Sequence, residues 1–124
     1  MRTILKFALV LCLSIFSLNA FAQGCTKPPG GHCVDISWIA STTTGVTYNV
    51  YKAATPVTTT VCTGVKIQSG ITGLTASDNN VVNGTTVYYQ VSAVKGDESA
   101  CTLQVQVQIP IPPGPPSNPS ATVL

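Results

Sequence analysis

The sequence predicts an all-β protein, a seven-stranded antiparallel two-sheet sandwich, on three observations. No helical period is found after the first two dozen residues, and apolar and polar residues instead alternate in short runs from Val34 onward. Clusters of Gly, Asn, Asp, Thr and Pro separate those runs at regular spacing, as turns between strands do. About a hundred residues remain once the N-terminal segment is set aside, enough for one modest core.

That N-terminal segment has the three parts of an export signal. Arg2 and Lys6 supply the charge, Phe7 to Leu18 the apolar stretch and Ala20-Phe21-Ala22 the small-x-small cleavage site, so residues 1–22 are expected to be removed before Gln23. The apolar stretch is shorter than the roughly 20 residues needed to span a bilayer, and no membrane span is expected after cleavage. Acylation of Cys25 behind Gly24 is the competing outcome, disfavoured because Gln23 is neither small nor apolar.

The division is then an N-terminal segment with a short first strand near Cys25 (23–32), a sandwich domain (33–109) and a proline-rich tail (110–124). In the domain, Val34, Ile36 and Trp38 alternate with Asp35 and Ser37, and Val46, Tyr48 and Val50 follow. Weaker strands are placed around Val61 to Ile67 and Ile71 to Ala76. The next strand, Val87 to Val94, sets Val87, Tyr89, Val91 and Ala93 on one face. In the last, Leu103, Val105, Val107 and Ile109 alternate with Gln104, Gln106 and Gln108, one face oily and the other amide. The expected core is Ile36, Trp38, Tyr48, Val50, Tyr89, Val91, Leu103, Val105 and Val107. Asn83-Gly84 marks a turn, and Lys95, Gly96, Asp97 and Glu98 form a hairpin loop, the candidate binding loop. Prolines 110, 112, 113, 115, 116 and 119 deny the tail a place in a central strand.

Charge and chemistry exclude more than they suggest. Beyond the signal the lysines 27, 52, 66 and 95 cancel Asp35, Asp78, Asp97 and Glu98, so no basic patch for nucleic acid exists. His32, the only histidine, sits in a turn beside Cys33, which a disulfide would deprive of its thiolate. Asp97 and Glu98 are adjacent and diverge, and Asp78 is read as ordering the turn after it, so no catalytic residue is assigned. Asn83-Gly84-Thr85 matches a glycosylation sequon but serves equally as a turn, and Thr42 to Thr44 and Thr58 to Thr60 are loop residues or O-glycan sites. Cys25, Cys33, Cys62 and Cys101 lack the close pairs of a zinc site and read as two disulfides of an exported domain. No cofactor or metal is expected.

Val34-Asp35-Ile36-Ser37-Trp38, Tyr48-Asn49-Val50-Tyr51-Lys52, the stretch from Asp78 to Val94, and Asp97-Glu98-Ser99 together resemble a fibronectin type III domain of the bacterial exported type, and thus an immunoglobulin-like sandwich. Val34-Asp35-Ile36-Ser37-Trp38 resembles the second strand of that family and Tyr48-Asn49-Val50-Tyr51-Lys52 the third. Asp78 through Val94 resembles the entry and body of the sixth, and Asp97-Glu98-Ser99 the loop into the seventh. Two positions depart from the pattern: Val87 stands at the tyrosine corner and Ala76 where an aromatic is usual. Lys95-Gly96-Asp97 falls where the family's integrin-binding tripeptide lies. Pro28-Pro29-Gly30-Gly31 can reverse the chain and join Cys25 to Cys33, leaving Cys62 for Cys101. The resemblance also admits Cys25 with Cys101 and Cys33 with Cys62, since its first and last strands share an edge.

The resemblance implies a fold more than a task. The expected function is a non-enzymatic module that is secreted, periplasmic or on the cell surface, with an unknown protein or glycan of the cell envelope as partner. The alternatives are an accessory subunit that completes a partner's sheet by strand addition and, behind it, a small extracellular enzyme or inhibitor.

Overall fold

The structure, a computed structural model, describes residues 24–124, so the export signal expected at 1–22 lies outside the described residues. The described chain is all-β, with strands β1 (Val34–Ser37), β2 (Thr47–Ala53), β3 (Val65–Ile71), β4 (Thr75–Asp78), β5 (Thr86–Lys95), β6 (Asp97–Glu98) and β7 (Val105–Gln108). β1 pairs only with β4. The larger antiparallel sheet runs β3-β2-β5-β7, and the two-residue β6 adds to the far end of β5.

Residues of both sheets meet in one core. Ile36 and Ala76 come from the small sheet, Tyr48, Val50, Ile71, Val87, Tyr89 and Val91 from the large one, and Ile109 closes one end. β2 and β5 carry this core because Tyr48/Ala93, Val50/Val91 and Lys52/Tyr89 stand opposite each other on the inner face. Trp38 is half-buried and packs on Tyr48 with ring centroids 5.4 Å apart.

Three sequence expectations are corrected. The first strand near Cys25 is absent: Gly24 to Cys33 forms no ladder, and the seventh element is instead the short β6. The weaker strands lie later than expected, at β3 and β4. Leu103 and Val105 are not core, being 70% and 50% exposed, and Val107 is only half-buried. Their phase is inward, since Val105 stands opposite Tyr89 and Val107 opposite Val87; Val107 packs against the core, but among the described residues no strand lies beyond β1 to cover Val105 and Leu103.

The outer face of the large sheet shows the reverse. Asn49, Tyr51, Tyr88, Gln90 and Ser92 point away from the core in phase and are nonetheless buried. The connection between β2 and β3 lies over Gln90, held by the Cys62–Cys101 disulfide and by a 2.8 Å bond from Cys101 N–H to Thr60 C=O, while Asn49, Tyr51 and Ser92 are bonded to Glu98. Gln90 serves that cover with its whole amide, donating from Nε2 to Thr59 and Thr102 carbonyls and accepting from Thr63 N–H. Gly64 is required where this connection rejoins the sheet, because its φ is 89° and a Cβ there would collide with the Lys52 carbonyl.

Candidate functional site

Two carboxylates organise the polar chemistry, at opposite ends of β5. Lys52 ends the inward series Tyr48, Val50, Lys52, so its stem passes beside the core and its ammonium reaches the mouth between β3 and β4. There Lys52 Nζ lies 2.6 Å from Asp78 Oδ2 and donates to the Asn80 carbonyl at 2.5 Å. Tyr89 OH donates to Asp78 Oδ2 at 2.8 Å, and Asn80 N–H to Oδ1 at 2.9 Å. The last bond is the turn-ordering role expected of Asp78; the ion pair and the tyrosine are additional.

Burial pushes the Asp78 carboxyl up, but the hydrogen bonds from Lys52, Tyr89 and Asn80 with the Lys52 charge outweigh it and hold the pKa below the usual carboxylate value. Burial and then Asp78 push the Tyr89 phenol up, so it stays a neutral donor. A cleft of about 670 Å³ opens beside the pair, lined by Val65, Ile67, Gln68, Asn79 and Val87 among others. Gln68 Nε2 bridges from β3 to the Ser77 carbonyl of β4 at 2.7 Å.

At the other end, Glu98 folds back onto the outer face instead of standing in the loop. Its Oε1 accepts from Ser92 Oγ, from Tyr51 OH at 2.5 Å and from Asn49 Nδ2 at 2.9 Å. These three donors, Ser92 first, lower its pKa to about 2, with a small contribution from Lys66, 4.0 Å away. Lys95 is likewise turned onto its own chain, donating to Thr44 C=O at 2.8 Å. Of the expected binding loop, Gly96 supplies the tight turn at φ 76° and Asp97 pairs with Lys95 through the backbone.

The remaining candidates sit in structural roles. Cys25 pairs with Cys33 and Cys62 with Cys101, with Cα atoms 5.7 and 5.1 Å apart. His32 Nδ1 and the Asn83 side chain are joined at 2.7 Å, and Asn83 Nδ2 also donates to Gly30 C=O at 2.8 Å, which ties the N-terminal turn to the β4–β5 loop. Among the described residues no three His, Cys, Asp or Glu gather as a metal site, and no helix is long and apolar enough to cross a membrane. The Lys52–Asp78 pair and the Glu98 cluster escaped the sequence reading. One signal pointed to the first: a lysine in phase with core residues needs a partner.

Comparison with known proteins finds no matching family model, no matching curated protein and no matching solved structure. The geometry therefore carries the functional reading unaided.

Proposed function

We propose that the chain is an exported, non-catalytic interaction or structural module of the fibronectin type III kind. Strand order supports the family: numbering β1 as the second strand, as the sequence resemblance does, the second pairs with the fifth and the fourth-third-sixth-seventh form the other sheet. Two disulfides fit an oxidising compartment outside the cytoplasm. The observation that carries the non-catalytic reading is the occupation of its carboxylates. Asp78 is neutralised by Lys52 and Glu98 accepts from three side chains, so neither is poised near neutral pH to move a proton.

The test is incubation of the purified, oxidised protein with protein and polysaccharide fractions of the cell envelope, with bound material and released products weighed by mass spectrometry. Saturable binding that leaves the bound component chemically unchanged is expected. Product release that disappears in Asp78→Asn or Glu98→Gln overturns the reading in favour of an enzyme.

A further inference from the structure

The side of the molecule between β1 and β7 is unfinished. Trp38 N–H donates to Leu74 C=O, and in the antiparallel register this makes Ile36/Ala76 and Val34/Asp78 the bonded pairs. The N–H and C=O groups of Asp35 and Ser37 therefore face away from β4, toward an edge where no strand of the described residues lies. By strand order, Leu103 and Val105 present their inward phase below that edge, 70% and 50% exposed, and Ile39, just after β1, is 94% exposed. A cleft of about 170 Å³ enters between the segment after β1 and the segment before β7, lined by Trp38, Ile39, Val91 and Thr102 among others. The indole Nε1 of Trp38 is buried there without an acceptor.

The chain's own N-terminal turn is committed elsewhere. Thr26 N–H donates to Asn79 Oδ1, and Gly30 and His32 are bound to Asn83, so Gly24 to His32 is held across the β4–β5 loop and does not run along β1. A strand added to the β1 edge would bond to Asp35 and Ser37 and lay alternate side chains on Leu103 and Val105.

The same chain carries a segment that fits. Ser120 to Leu124 is free of proline and charge, is fully exposed and is in no ladder. In an extended strand Ala121 and Val123 share one face, and Val123 is 98% exposed. Pro112 and Pro113 leave the domain against the N-terminal turn, and Pro115, Pro116 and Pro119 then stiffen the chain. At about 3.1 Å per residue the seven steps from Pro113 to Ser120 reach at most roughly 20 Å, shortened by the left-handed turn at Asn118 (φ 53°), and that reach lets the segment extend away from its own domain.

We propose that Ser120–Leu124 of one copy adds as a strand to the β1 edge of a second copy, covering Leu103 and Val105. This rests on the reading of the chain as an interaction module and names its partner. The donor and acceptor surfaces differ, so the contact is heterologous and propagates into an open chain of copies.

The test is sedimentation velocity on the full exported protein with both disulfides formed, over rising concentration. Wild type is expected to pass from monomer to a ladder of oligomers. Val123→Asp spoils the donor and Val105→Glu, at a half-exposed site, the acceptor; each is expected to weaken self-association by about tenfold or more. An equimolar mixture of the two variants retains one intact donor and one intact acceptor, so it forms heterodimers and stops there. Ser37→Pro, which removes an edge N–H outside the β1–β4 ladder, reproduces the acceptor defect. A wild type that stays monomeric throughout, including one whose tail folds onto its own edge, overturns the proposal. So does oligomerisation that survives all three substitutions. Neither outcome touches the non-catalytic reading, which fails only on turnover of an envelope component.

Discussion

The two lateral sides of the molecule are built from similar strands and end differently. On the β3/β4 side the gap between the sheets is spanned by Gln68 to the Ser77 carbonyl and by Lys52 to Asp78, with Tyr89 beneath. On the β1/β7 side, among the described residues, no side chain bridges, β1 keeps an open edge, and Leu103 and Val105 meet solvent. The closed side thus holds polar groups that would be costly if unpaired, and the open side, apart from the unpaired Trp38 indole N–H, holds apolar groups that cost little to leave and yield free energy when covered.

One large predicted effect breaks the closed side. Asp78→Ala strands the Lys52 ammonium and the Tyr89 hydroxyl, and a loss of about 3 kcal/mol or more in denaturant unfolding is expected. Removing the Cys62–Cys101 bridge by double serine substitution costs about 4 kcal/mol in the chain-entropy model, against about 2.5 for Cys25–Cys33, and it alone frees the outer cover of the large sheet. Gln68→Ala removes one bridging bond and is expected to cost about 1 to 2 kcal/mol. Leu103→Ala on the open side should cost less than about 1 kcal/mol in the dilute protein, because most of that side chain is already in water. A core-sized loss at Leu103 would mean that something of the chain's own covers it.

Acid separates the two ends of β5 from the open side. Glu98 ionises at about 2 in the folded protein against 4.5 ordinarily, and Asp78 is also held below its ordinary 3.8. Each contributes stability that is complete above the unfolded value and is lost as pH falls through the folded one. Unfolding midpoints should therefore be flat near neutrality and fall below about pH 4.5, and Glu98→Gln should remove Glu98's share of the slope between 4.5 and about 2 while leaving that of Asp78. Leu103 and Val105 substitutions should leave the slope unchanged.

The contrast also explains what the sequence could convey. Alternation in Tyr48-Asn49-Val50-Tyr51-Lys52 and in Val87 to Ala93 reports the face each residue takes, and the inward members Tyr48, Val50, Tyr89 and Val91 are buried as that pattern requires. It is silent on what lies opposite. Leu103 and Val105 have the right phase and no cover, whereas Gln90 has the outward phase and is buried under a loop that no local pattern places there. The Glu98 cluster was hidden for the same reason: Asn49, Tyr51 and Ser92 lie 49, 47 and 6 residues from Glu98 and meet it only through sheet register. Cysteine pairing was legible in part, since the Pro-Gly turn between Cys25 and Cys33 is local while the alternative depended on strand neighbours.

The central claim is that the β1 edge is open in the single molecule, and residue-resolved amide hydrogen exchange reads it directly. In dilute protein the Ile36 amide, bonded across to Ala76, should be protected while those of Asp35 and Ser37 exchange as free amides, and these two should slow as concentration rises. Protection of Asp35 and Ser37 equal to that of Ile36 in the dilute monomer would show the edge already filled by the chain itself and would contradict the account.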